Sequence, residues 1–121
     1  MNTETLREYC ITKSGVTESF PFDTVTLVFK VGVTGTPGRI FAMLDTEGRP
    51  TTLALKCDPE RAVQLREEFD AVQPGYHMNK KHWNTVTIDG SVRSSELQVW
   101  IDHSYELVRK SLPKVVRDQL M

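Results

Sequence analysis

Between Pro74 and Thr85 the chain crowds together the side chains best suited to chemistry or binding: Tyr76, His77, Asn79, Lys80, Lys81, His82, Trp83 and Asn84. Ammonium and amide groups there can donate to phosphate oxygens, and the interleaved rings offer surfaces for stacking. The residues themselves leave two readings open. In one, the segment is a binding surface carried on a loop. In the other, Tyr76 and Trp83 anchor an irregular stretch in the core while its polar groups satisfy its own backbone.

Other candidate chemistry is weaker. His77 and His82 stand five apart in an irregular stretch, His103 lies elsewhere, and Cys10 and Cys57 form no paired motif. A zinc site needs three or four His, Cys or carboxylate ligands, normally at tight spacings, so no metal or cofactor is expected. The cysteines read as free thiols packed as small hydrophobes. The run Gly32-Val33-Thr34-Gly35-Thr36-Pro37-Gly38 is rich in glycine, but it leads into a strand and lacks the Lys-Ser/Thr pair of a phosphate loop. It reads as a hairpin tip. No Gly-x-Ser-x-Gly nucleophile elbow is present, and Asp58 before Pro59 is sufficiently explained as a helix cap. No catalytic residue is assigned, and the expectation is a protein that is not an enzyme.

The elements that must position the 74–85 segment follow from periodicity. A first helix is predicted from Thr3 as N-cap, with Leu6, Tyr9 and Cys10 on one face and Gly15 past its end. Ser19–Phe22 contains Pro21 and suits an edge or irregular strand. Leu27, Phe29 and Val31 alternate with Val28 and Lys30, Ile40–Leu44 is apolar on both sides, and Leu53, Leu55 and Cys57 alternate with Ala54 and Lys56. The links between these runs are too short for parallel crossovers, so an antiparallel meander is expected. Asp58-Pro59 opens a second helix, Gln73–Lys81 reads as irregular, and Trp83–Ile88 is a strand ended by the Asp89-Gly90 turn. A last long helix starts near Ser94 or Ser95, and Leu97, Trp100, Ile101, Ser104, Leu107, Val108 and Ser111 trace one face of it. One more short turn of helix follows Pro113. The predicted class is α+β, in the order α-β-β-β-β-α-β-α, with an antiparallel sheet and its helices on one face. Trp100 is expected against Phe29 or Phe41.

Composition bounds the rest. At 121 residues the chain, 1–121, suits one domain that buries about two-thirds of its unfolded surface without needing disulfides or metals. Its 39% hydrophobic and 26% charged content is globular. A net charge of −1 gives no support to a strongly basic nucleic-acid binder. Apolar runs are too short to span a bilayer, and no secretory pattern opens the chain, which predicts no membrane partner and a cytoplasmic location.

Five pieces carry a family likeness: Glu18–Phe22, Val28–Val31, Leu55–Pro59, Ser104–Val108 and, most specifically, Pro74-Gly75-Tyr76-His77-Met78-Asn79-Lys80-Lys81-His82-Trp83-Asn84-Thr85-Val86. With them the chain resembles the MmcQ/YjbR family of small bacterial proteins over nearly its whole length. The resemblance implies a frataxin-like two-layer sandwich with a double-wing arrangement of hairpins, and DNA binding, the role commonly ascribed to the family. It supplies no catalytic residues. Here the 32–38 loop is longer than the tight turn usual in the family, so the contact surface of that wing differs. On this reading Lys56, Asn79, Lys80, Lys81 and Asn84 contact DNA phosphates with His77 nearby. The alternative is a protein- or small-ligand-binding module that uses the same segment through Tyr76 and Trp83.

Overall fold

The computed structural model describes residues 1–75 and 78–120. Helix α1 (Thr3–Ile11) is followed by strands β1 (Val16–Ser19), β2 (Thr26–Val31), β3 (Arg39–Asp45) and β4 (Thr51–Lys56). Then come α2 (Pro59–Glu68), β5 (Val72–Pro74), β6 (Trp83–Ile88), α3 (Ser94–Ser111) and α4 (Lys114–Arg117). The six strands form one antiparallel sheet in the order β1-β2-β3-β4-β6-β5. Fold class and meander are as the periodicity predicts. Among the described residues no helix is long and apolar enough to cross a membrane.

Three local expectations need correction. The edge strand expected over Ser19–Phe22 lies earlier, at Val16–Ser19, and ends before Pro21, which has no backbone donor for the ladder. The cap of α1 is Asn2, not Thr3: its side-chain oxygen accepts the Thr5 N–H at 2.9 Å, and Thr5 Oγ1 accepts the Asn2 N–H at 2.8 Å. This reciprocal pair satisfies two donors at the helix start, which a cap at Thr3 would not. β5 begins at Val72 and runs into the stretch Gln73–Lys81 read as irregular. It has three residues, it ends in Pro74, and it lies at the sheet edge, where a missing backbone donor is tolerated.

The core lies between the sheet and its helices. Leu27, Phe29, Val31, Leu44, Leu53, Leu55, Val72 and Val86 line the inner face beneath Leu6 and Cys10 of α1 and Leu97, Trp100, Ile101, Tyr105 and Val108 of α3. Between Phe29 and Lys30 the register with β3 shifts: Phe29 pairs with Ala42, but Lys30 pairs with Ile40. The extra residue is Phe41. A bulge places two successive residues opposite one, and both Phe41 and Ala42 are fully buried in the core. Phe41 meets Tyr105 edge-on, with centroids 5.4 Å apart.

The bulge leaves backbone groups that need partners, and Ser104 supplies them. Its buried hydroxyl donates to the Phe41 carbonyl at 2.5 Å and accepts the Lys56 N–H at 2.9 Å. Trp100 is buried as expected but not against Phe29 or Phe41; it stacks edge-to-face on Phe69, with centroids 4.9 Å apart. Ser104 and Tyr105 hold α3 over the bulge. One turn earlier, Trp100 therefore lies among Leu55, Val72 and Val86, toward the β5 edge where α2 ends.

Candidate nucleic-acid interface

The turn before β6 is organised from α2. In the last turn of that helix, Arg66 donates from Nε to Asn84 Oδ1 at 2.6 Å and from Nη2 to the carbonyls of Lys80 and, at 3.3 Å, Trp83. Asn79 Oδ1 accepts the Lys81 N–H at 2.9 Å, and the Asn79 carbonyl accepts the N–H groups of His82 and Trp83. The His82 carbonyl takes the Cys57 N–H at 2.7 Å, and the Trp83 carbonyl takes the Gly75 N–H at 2.8 Å. Gly75 is required by space: a Cβ there would stand 2.7 Å from the Trp83 Cβ. The carbonyls of Asn79, Lys80, His82 and Trp83 are thus all engaged while the residues Asn79, Lys80 and Lys81 remain exposed.

The residues singled out from sequence fall into separate groups. Asn79, Lys80 and Lys81 share the exposed turn. Lys56, half-buried, pairs with Trp83 across β4 and β6. Asn84 is not on the surface. It is 3% exposed, its Nδ2 donates to the Ala62 carbonyl at 3.3 Å, and its oxygen holds Arg66. The expected phosphate contact by Asn84 is therefore corrected to a link between β6 and α2. Tyr76 and His77 lie outside the described residues.

Two residues were missed. Arg66 has no local signature, since its partners lie 14 to 18 positions ahead. Lys30 did have a signal: with Leu27, Phe29 and Val31 facing inward, alternation sends Lys30 to the opposite face. On that outer face, where Val28 is itself fully buried, the register aligns Thr17, Lys30 and Ile40 across three strands, with Lys56 and Trp83 on the next two. Lys30 and Lys56 thus stand at the same end of the sheet, beside the turn that carries Lys80 and Lys81. None of the described ion pairs engages these four lysines.

Farther along the face is a groove of about 520 Å³, lined by Phe22, Val25, Ile40, Met43, Ala54 and Met78 with threonines at its margins. Asp45 closes the end away from the lysines, and its Oδ1 accepts the N–H groups of Glu47 and Gly48. Phe22 is 66% exposed.

The remaining titratable groups are arranged for structure. His103 Nε2 accepts the Asp58 N–H at 3.2 Å, which requires a neutral ring with its proton on Nδ1. Burial, then the nearby Arg61 charge, push its pKa below 6.5, with Asp58 opposing. Burial raises the Cys57 thiol and pushes that of Cys10 up to about 12, so neither is an activated nucleophile. Among the described residues no cluster of three or more His, Cys, Asp or Glu could hold a metal ion. The 32–38 loop joins β2 to β3, and Gly35 and Gly38 take positive φ angles of 88° and 69°.

Residues 11–107 match the family model YjbR. The uncharacterized protein YjbR of Escherichia coli strain K12 is 35% identical over 122 residues, covering all of this chain and 98% of that protein. The uncharacterized protein YbdF of Escherichia coli O157:H7 is 35% identical over 117 residues, covering 96% of this chain and 89% of that one. Among solved structures, a DUF419-domain protein of Deinococcus radiodurans superposes with a TM-score of 0.92 at 43% identity, covering 98% of this chain and 87% of that chain. A Pseudomonas syringae protein gives 0.74 at 26% identity, covering 89% of this chain and 99% of its own.

Proposed function

The chain belongs to the YjbR family, and on that premise we propose that it is a non-enzymatic DNA-binding protein of the cytoplasm, contacting phosphates through its 74–85 segment. The observation that carries this reading is the pinned turn. Arg66 and Asn79 fix its backbone, so Lys80 and Lys81 project from a preordered support. Preordering reduces the conformational entropy lost when a phosphate is gripped. Lys56, on the same side of the sheet, extends the cationic surface toward Lys30.

A net charge of −1 means that affinity must come from this local cluster and not from the protein's overall field. Salt dependence tests that directly. Each lysine that neutralises a phosphate of duplex DNA releases about 0.9 counterion. The Lys80→Ala, Lys81→Ala double variant should lower the magnitude of the log K against log salt slope by about 2. Fluorescence anisotropy of labelled DNA across a salt series measures it. An unchanged slope, or no binding by the wild-type protein at low salt, refutes the reading.

A further inference from the structure

The helices cover only one face of the sheet. The other holds the lysine row at one end and the apolar groove beside it. Phosphates gain nothing from a floor of Ile40, Met43 and Ala54. In a duplex, base faces are hidden in the stack, and a protein reaches only phosphates, sugars and groove edges. In a single strand the base faces are free to stack on aromatic and apolar side chains, and these contacts add to those made by lysines along the backbone.

We infer that this outer face binds single-stranded DNA, seating unstacked bases in the groove between Phe22 and Met78 while phosphates run along Lys30, Lys56 and the Lys80-Lys81 turn. The inference rests on the DNA-binding reading above and specifies its ligand. Charge supports this orientation. The lysines stand at the Ile40 end, whereas the Asp45 carboxylate at the opposite end repels a phosphate backbone. Adjacent strands lie about 4.8 Å apart, so Lys30 on β2 and Lys56 on β4 are separated by roughly 10 Å across the sheet. At about 520 Å³ the groove lies within the 300–1,000 Å³ or so of sites that enclose small organic groups, ample for a nucleobase.

The test compares anisotropy of a labelled oligothymidylate of about 12 nucleotides with that of a duplex of equal length at one low salt concentration. The wild-type protein should bind the single strand at least about tenfold more tightly. Phe22→Ala removes a side chain that is mostly exposed, so the fold is kept, and it should weaken single-strand binding about five- to tenfold, within the range measured for loss of one stacking aromatic. Its duplex binding should stay within about twofold. Lys30→Ala should lower the single-strand salt slope by about 0.7. Equal or tighter duplex binding overturns the inference, as does single-strand binding by Phe22→Ala that matches the wild type. If single strand and duplex are bound equally, and single-strand binding responds to Lys80→Ala, Lys81→Ala but not to Phe22→Ala, the phosphate reading stands and the groove is excluded. If neither DNA is bound, both fail.

Discussion

Replacing Arg66 by alanine removes the donor around which the 79–84 turn is built. Three acceptors lose a partner, but they do not lose equally. The Trp83 carbonyl keeps the Gly75 N–H at 2.8 Å, and the Lys80 carbonyl belongs to an exposed residue that water can reach. Asn84 Oδ1 is different: its residue is 3% exposed, so its 2.6 Å bond has no ready substitute. A hydrogen bond to a charged group contributes about 1.5–3 kcal/mol net, and an orphaned buried acceptor costs a similar amount. Arg66→Ala should therefore destabilise by about 2–3 kcal/mol, well short of three such bonds summed. For a domain of this size that lowers Tm by roughly 6–15 °C.

Urea denaturation gives the energy, and hydrogen exchange locates it. The His82 and Trp83 amides, both bonded to the Asn79 carbonyl, should lose protection more than those of the central strands. Arg66→Lys should recover less than half of the loss, because one ammonium cannot reproduce the fork that reaches Asn84 and Lys80 together. A cycle with Asn84→Ala should give a coupling of about 1–2 kcal/mol. A loss below about 0.5 kcal/mol, the ordinary range for surface substitutions, would refute the claim that Arg66 organises the turn. So would a full loss with unchanged exchange at residues 79–83.

Three further outcomes are expected. Ser104→Ala strands the buried Phe41 carbonyl and Lys56 N–H, and should cost about 1–3 kcal/mol in urea unfolding. Trp100→Ala should cost about 3–5 kcal/mol as a large-to-small core change, and half-buried Trp83→Ala clearly less; equal losses would contradict the placement of the two rings. The folded-state pKa of His103 is depressed, so below about 6.5 the unfolded chain binds more protons and stability falls with pH. Between pH 7 and 5 the urea midpoint of the wild type should fall more than that of His103→Gln, which does not titrate; parallel profiles would remove His103 from the acid response.

Much of this was legible from residues a few positions apart. Alternation of Leu27, Phe29 and Val31, the Asp58-Pro59 start, the Asp89-Gly90 turn and the helical spacing of Leu97, Trp100, Ile101 and Ser104 define their elements because periodicity and capping act within one or two turns of chain. The same alternation could have revealed more. Asn84 shares the inner parity of Val86 in β6, and Lys30 the outer parity of Val28 in β2. The lysine pair of the exposed turn was readable from the sequence, but its support was not. Arg66 finds Asn84 across 18 positions, Ser104 finds the β3 bulge across 63, and Trp100 reaches Phe69 only because α3 is anchored over that bulge. A local pattern fixes which face a side chain takes, but it carries no information about which distant backbone group will need a donor. That need arises only when the strands pair and their register shifts, and so the bulge, the partnering of Asn84 by Arg66 and the alignment of Lys30 with the Lys56 end of the sheet are decided by the tertiary structure.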